Sequence, residues 1–253
     1  MVDFRMQGKR WKAAALHLGI SAVIAGITAL LILKLWYPSP FDELSGGFFL
    51  LAMICSVDLT LGPLMTLIVF NPVKPRSELI RDLTVIGILQ IVGLAYGVHT
   101  VYLARPVALV FERNVFKVIN QVDVAENELA EADPTLRSLS LTGPVFLGTR
   151  RAKVDEKLDA VLEALAGNDI SARPKFWTSY DSVREQVIDK AKPLSFLLKN
   201  KKRIADIQKV ANSVNIPIEQ LVYLPLVSKK ALWTIVLDKK HADPKAYLPY
   251  YDD

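Results

Sequence analysis

Three long apolar runs occupy the first part of the chain, and nothing like them recurs later. Ala13 to Tyr37 is interrupted only by His17 near its start and Lys34 near its end; Phe48 to Phe70 and Leu83 to Ala104 follow. At about 1.5 Å per residue each is long enough to cross a hydrocarbon core roughly 30 Å thick. None carries the wide polar stripe of a helix at the surface of a soluble core. They are predicted to be transmembrane helices. From Pro106 the pattern breaks into short segments. Pro106 to Ile119 reads as extended chain around Asn114, and Val122 to Ala132 as an acidic helix. Thr142-Gly143-Pro144 and Leu147-Gly148 read as turns, and Lys153 to Leu165 as an amphipathic helix ending at Gly167-Asn168. Tyr180–Lys190 and Ile204–Val214 read as further helices, Ile218–Leu221 as a short turn, and Val222–Val227 with Leu232–Leu237 as a hairpin across Ser228-Lys229-Lys230. The fold class is therefore a membrane domain of three helices (residues 1–105) followed by a small α+β soluble domain (residues 106–253).

Charge sharpens this division. Up to Arg105 there are nine Lys/Arg and six Asp/Glu; after it there are twenty-two and twenty. The second part has a soluble composition, and its near balance gives no strong field for a polyanion, so nucleic acid is not an expected partner. The run Lys199-Asn200-Lys201-Lys202-Arg203 has no interleaved aromatics and reads as a solvated helix start. The lone Cys55 lies in a span and cannot make an intrachain disulfide, so the soluble domain must rest on its core.

The connections set the orientation. Arg5, Lys9, Arg10 and Lys12 precede the first span, and Lys74, Arg76 and Arg81 lie near the second connection. The first connection carries only Asp42 and Glu43. The positive-inside rule puts the N-terminus in the cytoplasm and residues after Arg105 across the membrane, in the periplasm if the membrane is a bacterial inner membrane. Trp11 and Trp36-Tyr37 sit where interfacial aromatics belong. The first run is too long for a cleaved signal, and Trp36-Tyr37-Pro38 is no cleavage site, so it is expected to remain as an anchor. Gly8 followed by Lys9-Arg10 does not resemble a prepilin.

Asp58 stands near the middle of the second span, where an ionised carboxylate costs about 2.5–3.5 kcal/mol. Counting depth at 1.5 Å per residue puts Gln90 roughly 6 Å from it along the membrane normal. Two readings stay open: a contact or proton-handling group for another helix, or a protonated carboxyl bonded inside its own bundle. Gly62-Pro63 predicts a kink and close helix approach. Asp58 is the sole carboxylate within the three runs, so a two-carboxylate protease is not supported. The scattered His17, His99 and His241 assemble no metal set, and phosphate-loop and nucleophile-elbow motifs are absent. No cofactor and no catalytic residue is expected. Trp177 with Tyr180 reads either as core or as the lining of a binding groove.

The membrane part resembles the type IV pilin accessory proteins, the TfpX/TfpZ group that includes FimB. The resemblance rests on Lys12-Ala13-Ala14-Ala15-Leu16-His17-Leu18, Trp36-Tyr37-Pro38-Ser39-Pro40-Phe41, Gly46-Gly47, Val57-Asp58-Leu59-Thr60-Leu61-Gly62-Pro63-Leu64 and Thr66-Leu67-Ile68-Val69-Phe70. It continues through Asp82-Leu83, Gln90, Tyr96-Gly97 and Ala104-Arg105-Pro106-Val107, and more loosely through Tyr223-Leu224-Pro225-Leu226 and Trp233-Thr234-Ile235-Val236-Leu237-Asp238. Where the family ends with a Pro-Trp near the C-terminus, this chain has Leu248-Pro249-Tyr250-Tyr251-Asp252-Asp253. The resemblance implies a non-enzymatic pilus-biogenesis factor of the inner membrane, paired with the major pilin. The candidate contacts for the pilin helix within the bilayer are Asp58, Gly62, Thr66, Gln90 and His17. Thr66 and His17 are better placed in depth than Asp58 for a glutamate early in that helix. An envelope sensor with a periplasmic domain, and a small pilin-modifying enzyme, are the competing readings.

Overall fold

The computed structural model of the protein describes residues 2–251, with side chains from Met6 onward. Of the residues weighed above, the Arg5 side chain, Asp252 and Asp253 lie outside that description. The chain separates into two units, residues 1–42 with 46–104, and residues 43–45 with 105–253.

In the first unit, α1 (Val2–Leu31) continues through a wider turn to Trp36, α2 (Phe41–Leu44) is a single turn, and α3 (Gly47–Val69) and α4 (Arg76–Leu103) complete the set. Among the described residues, three helices are long and apolar enough to cross a membrane: Met6–Trp36, Gly47–Val69 and Arg76–Leu103. Helix α3 packs against both α1 and α4. Their outer faces expose Leu16, Val23, Ile68 and Ile91, as lipid-facing surfaces should. Tyr37 ties one end together: its ring lies where a Cβ on Gly47 would have to go, and its hydroxyl donates to the Val101 carbonyl at 3.0 Å. Pro63 sits inside α3, which continues through it to Val69.

The second unit is an eight-stranded mixed sheet in the order β4-β3-β1-β2-β6-β7-β8, with β5 also on β6. Its strands are β1 (Pro106–Glu112), β2 (Val115–Asn120), β3 (Val145–Thr149), β4 (Trp177–Ser179), β5 (Lys192–Pro193), β6 (Leu221–Val227), β7 (Leu232–Asp238) and β8 (Pro244–Leu248). The expected Pro106–Ile119 segment is the β1–β2 hairpin, turned at Arg113 with φ of 60°. Strand β1 is buried along its whole length, because β3 runs parallel on one side and β2 antiparallel on the other. Hydrophobic clusters among the described residues hold the sheet. One gathers Val107, Val110, Ile119, Leu147 and Trp177. Another gathers Leu194, Leu197, Ile207, Leu221, Tyr223 and Val236, covered by α7 (Ile204–Val214). Strands β2 and β6 run parallel over a short ladder, with Phe116 opposite Leu226 and Lys117 opposite Val227.

Trp177 and Tyr180 belong to the core. The Trp177 indole donates to Ser171 O at 2.8 Å, and the Tyr180 hydroxyl donates to Ala242 O at 2.6 Å. Burial pushes the Tyr180 phenol well above its ordinary range.

Four expectations need correction. Val122–Ala132 forms two short 3-10 segments, Gln121–Asp123 and Glu126–Glu131, because Ala125 N–H bonds to Ala172 O and Glu128 is drawn inward to Arg173. Leu147-Gly148 is mid-strand. Gly148 serves a close approach, since a Cβ there would overlap the branched Val183 side chain. The amphipathic segment begins later than its periodicity suggests, as α5 (Lys157–Leu165), and its apolar face is exposed, with Val154 at 84% and Leu165 at 81%. The Tyr180–Lys190 helix is a 3-10 turn leading into α6 (Arg184–Lys190).

The late start of α5 has a local cause. Arg150 grips Glu156 with two hydrogen bonds, 2.7 and 2.8 Å, and Lys153 N–H donates to the same carboxylate. These bonds, the Arg150 pair first, hold the Glu156 carboxyl down at about 2 from its ordinary 4.5. A depressed folded pKa stabilises above the ordinary value and loses that contribution as pH falls towards the folded one. The melting-temperature gap between wild type and Glu156→Gln is therefore expected to be largest near neutral pH and to close between about 4.5 and about 2. A gap that stays constant over that window would show that the carboxylate charge is not what holds the segment.

Candidate functional site

The five residues singled out within the spans come together in the structure. His17 on α1 lies between two partners: its Nδ1 is 2.5 Å from Thr66 Oγ1 on α3, and its Nε2 is 2.5 Å from Gln90 Oε1 on α4. The Gln90 Nε2 donates to the Asp58 carbonyl on α3 at 3.4 Å. The two ring nitrogens of His17 bridge Thr66 Oγ1 on α3 and Gln90 Oε1 on α4, with donor and acceptor roles that follow the ring tautomer. One chain of donors and acceptors thus links three helices. Each interhelical hydrogen bond in a membrane contributes about 0.6 kcal/mol. Its larger value is in fixing how the helices are rotated.

Gly62 makes this possible. A Cβ at that position would occupy the space of the Gln90 amide, so only glycine lets Gln90 cross to His17. One turn-set away, Ile54 of α3 packs onto Gly97 of α4, with 2.9 Å to the nearest atom from where a Cβ would stand.

Beside the network runs an open groove of about 560 Å³ between α3 and α4. Its walls are mostly apolar, among them Met53, Val57, Met65 and Leu89, and Asp58, Gln90, Thr100 and Tyr96 supply its polar positions. The Asp58 carboxyl lies beside the Gln90 amide and within Coulombic reach of His17. Gly93 lines the groove with nothing within 4 Å of where its Cβ would be. Methionines in such a wall adapt to irregular shapes. The arrangement can receive an elongated apolar body and offer it one hydrogen-bonding edge.

The model of the fimbrial assembly protein FimB matches residues 5–46, which include His17. Two fimbrial assembly proteins of Dichelobacter nodosus, of serogroups I and E1, are each 36% identical to this chain over 232 residues, covering 90% of it and 90% of their own length. The chain belongs to the fimbrial assembly protein family. A shorter relative, from serogroups C1 and C2 of the same organism, is 37% identical over 121 residues, 48% of this chain and 92% of its own length. No solved structure matches.

In this member of the fimbrial assembly protein family, His17 and Thr66 spend their hydrogen-bonding capacity on each other and on Gln90. Both ring nitrogens of His17 are engaged within the bundle, and Asp58 is among the polar residues that line the groove. Sequence reasoning missed the open wall formed with Gly93 and Gly97. Their G-x-x-x-G spacing in an apolar helix was the signal that could have found it.

Proposed function

We propose that this protein is a non-enzymatic assembly factor for a type IV pilus, which holds the major pilin in the inner membrane before it joins the fibre. The observation that carries the reading is the match to fimbrial assembly proteins over nine-tenths of the chain. The three apolar helices suit a membrane site, and the Lys/Arg distribution favours a cytoplasmic N-terminus with the sheet domain in the periplasm. A pilin awaiting assembly offers a single hydrophobic helix at the same depth, and the α3–α4 groove is an opening suited to one.

In this mechanism the groove takes the pilin helix by shape, and Asp58 supplies a hydrogen bond. Asp58 must be protonated to donate to a pilin carboxyl, since two ionised carboxylates would repel. The Thr66–His17–Gln90 chain keeps α3 and α4 rotated so that the groove stays open. The soluble domain reads the pilin head.

Photocrosslinking in cells tests this. A photoreactive residue at Met53 or Val57 is expected to give pilin adducts that vanish in a pilin-deletion strain, as are positions on the sheet domain. Adducts only to other components of the pilus machine would move the protein from pilin handling to the machine.

A further inference from the structure

Helix α4 ends at Leu103, and Arg105 already belongs to the sheet domain. Two residues span at most about 7 Å, so no linker separates the end of the apolar helix from the first strand. That end of the helix carries the marks of a membrane–water boundary: the Trp36 and Tyr102 rings meet edge-on, with centres 5.2 Å apart. Chain length alone therefore keeps the surroundings of Arg105 close to lipid, at any tilt of the domain.

Two loops are fastened to that residue. The Arg105 Nε donates to Ser140 O at 3.1 Å, and its Nη1 donates to Gln121 Oε1. Its carbonyl accepts from Gln121 N–H at 2.9 Å. The next residue in each loop is a large apolar one left in the open: Val122 is 66% exposed and Leu141 is 57% exposed. Val145 joins them. It is exposed at the start of β3 and stands opposite Ala108, so it lies at the same end of the sheet as Pro106 and Asn120. Exposed apolar side chains scattered singly over a surface need no explanation. These come from separate stretches of sequence and converge where the chain leaves the apolar helix.

The polar groups behind these tips are already matched. The Asp123 carboxylate, next to Val122, accepts from Lys229 at 2.6 Å and from Asn120 at 3.3 Å. Backbone N–H groups turn inward as well: Thr142 donates to Ser140 Oγ at 3.3 Å and Val124 to Gln121 O at 3.1 Å. Tips of this kind can enter a headgroup layer without stripping water from an unpaired charge or amide, while Lys229 keeps its ammonium in the polar zone.

We propose that Val122, Leu141 and Val145 form a lipid-contact rim, which dips into the boundary between headgroups and acyl chains and holds the sheet domain on the bilayer. The rim is separate from the α3–α4 groove and does not depend on pilin binding. The test uses the full chain with C55S, one chain per zwitterionic nanodisc, and a bimane fluorophore on a single cysteine introduced as V122C or L141C. Lipids that carry a nitroxide at the headgroup end of the acyl chain are expected to quench about half of the emission at both positions, as suits insertion of about 5–10 Å. Bimane on V154C or F196C, exposed apolar positions elsewhere in the domain, is expected to keep nearly all of its emission. Melting curves of the labelled chains are expected to match that of the C55S parent. Quenching at Val122 and Leu141 no greater than at Val154 would overturn the proposal, whether the tips stay in water or the domain meets lipid with no preference for this end. A second variant reads the holding role: in V122E/L141E, bimane on V145C is expected to lose most of its quenching. Undiminished quenching there would overturn the rim as the element that holds the domain.

Discussion

Replacing Arg173 with alanine is expected to destabilise the sheet domain by about 3–5 kcal/mol, the usual cost of stripping one partner from a buried ion pair. Arg173 is 3% exposed and Glu128 is 7% exposed. Its Nε and Nη2 donate to Glu128 Oε1 at 3.0 and 2.6 Å, and Nη2 also reaches Asp159 Oδ2 at 2.7 Å. Without the guanidinium, a buried carboxylate faces only Lys175, whose ammonium is 3.2 Å from Glu128 Oε1. That residual partner places the loss towards the lower end of the range. The guanidinium also lies over the Phe176 ring, 5.2 Å from its centre, so packing is lost along with charge. For a domain of this size the change corresponds to a fall in melting temperature of roughly 10 °C. The double change Arg173→Met with Glu128→Gln is expected to recover most of it, because no buried charge is then left alone. A thermal unfolding curve of Arg173→Ala that matches wild type would show the pair to be dispensable.

The second large effect separates two glycines of the membrane unit. Gly62→Leu is expected to drive Gln90 out of its place and break its bonds to His17 and the Asp58 carbonyl, loosening α3 from α4. Gly93→Leu meets no atom within 4 Å of its new Cβ and fills the groove instead. Protein levels are expected to fall for Gly62→Leu and to hold for Gly93→Leu. Pilin adducts from the groove are expected to fall about tenfold in both, equivalent to roughly 1.4 kcal/mol of contact. Undiminished adducts in Gly93→Leu, at normal protein level, would remove the groove from the mechanism while leaving the network intact.

The membrane helices were legible because a long apolar run has few alternatives in lipid. Four of the five intramembrane candidates stood out because polar residues there are rare, and Gly62 because it precedes Pro63. What the sequence could not show was their pairing: depth suggested Gln90 near Asp58, yet only the rotation of α1 brings His17 between Thr66 and Gln90. In the sheet domain the β6–β7 hairpin announced itself by apolar strands around a short turn, whereas Pro106–Ile119 read only as extended chain and its fold into the β1–β2 hairpin at Arg113 was not legible. Strand β3 was hidden by Gly148, which serves a contact with Val183 rather than a turn. Strand β8 was hidden by Pro244 and Lys245, as suits an edge. The acidic segment around Glu128 followed its ion pair rather than its helix propensity, a tertiary preference that no local window contains.

The narrow join between β2 and β6 bears on the order in which the domain can form. The β1–β2 hairpin closes across neighbouring residues, whereas the β2–β6 pairs connect positions about 110 residues apart. Local closure precedes distant closure, because the entropy of the intervening chain opposes the latter. The β6–β7 hairpin is also synthesised well after β2. Until Leu221–Val227 arrives, β2 is an unpaired strand edge, open to any passing chain of suitable pattern.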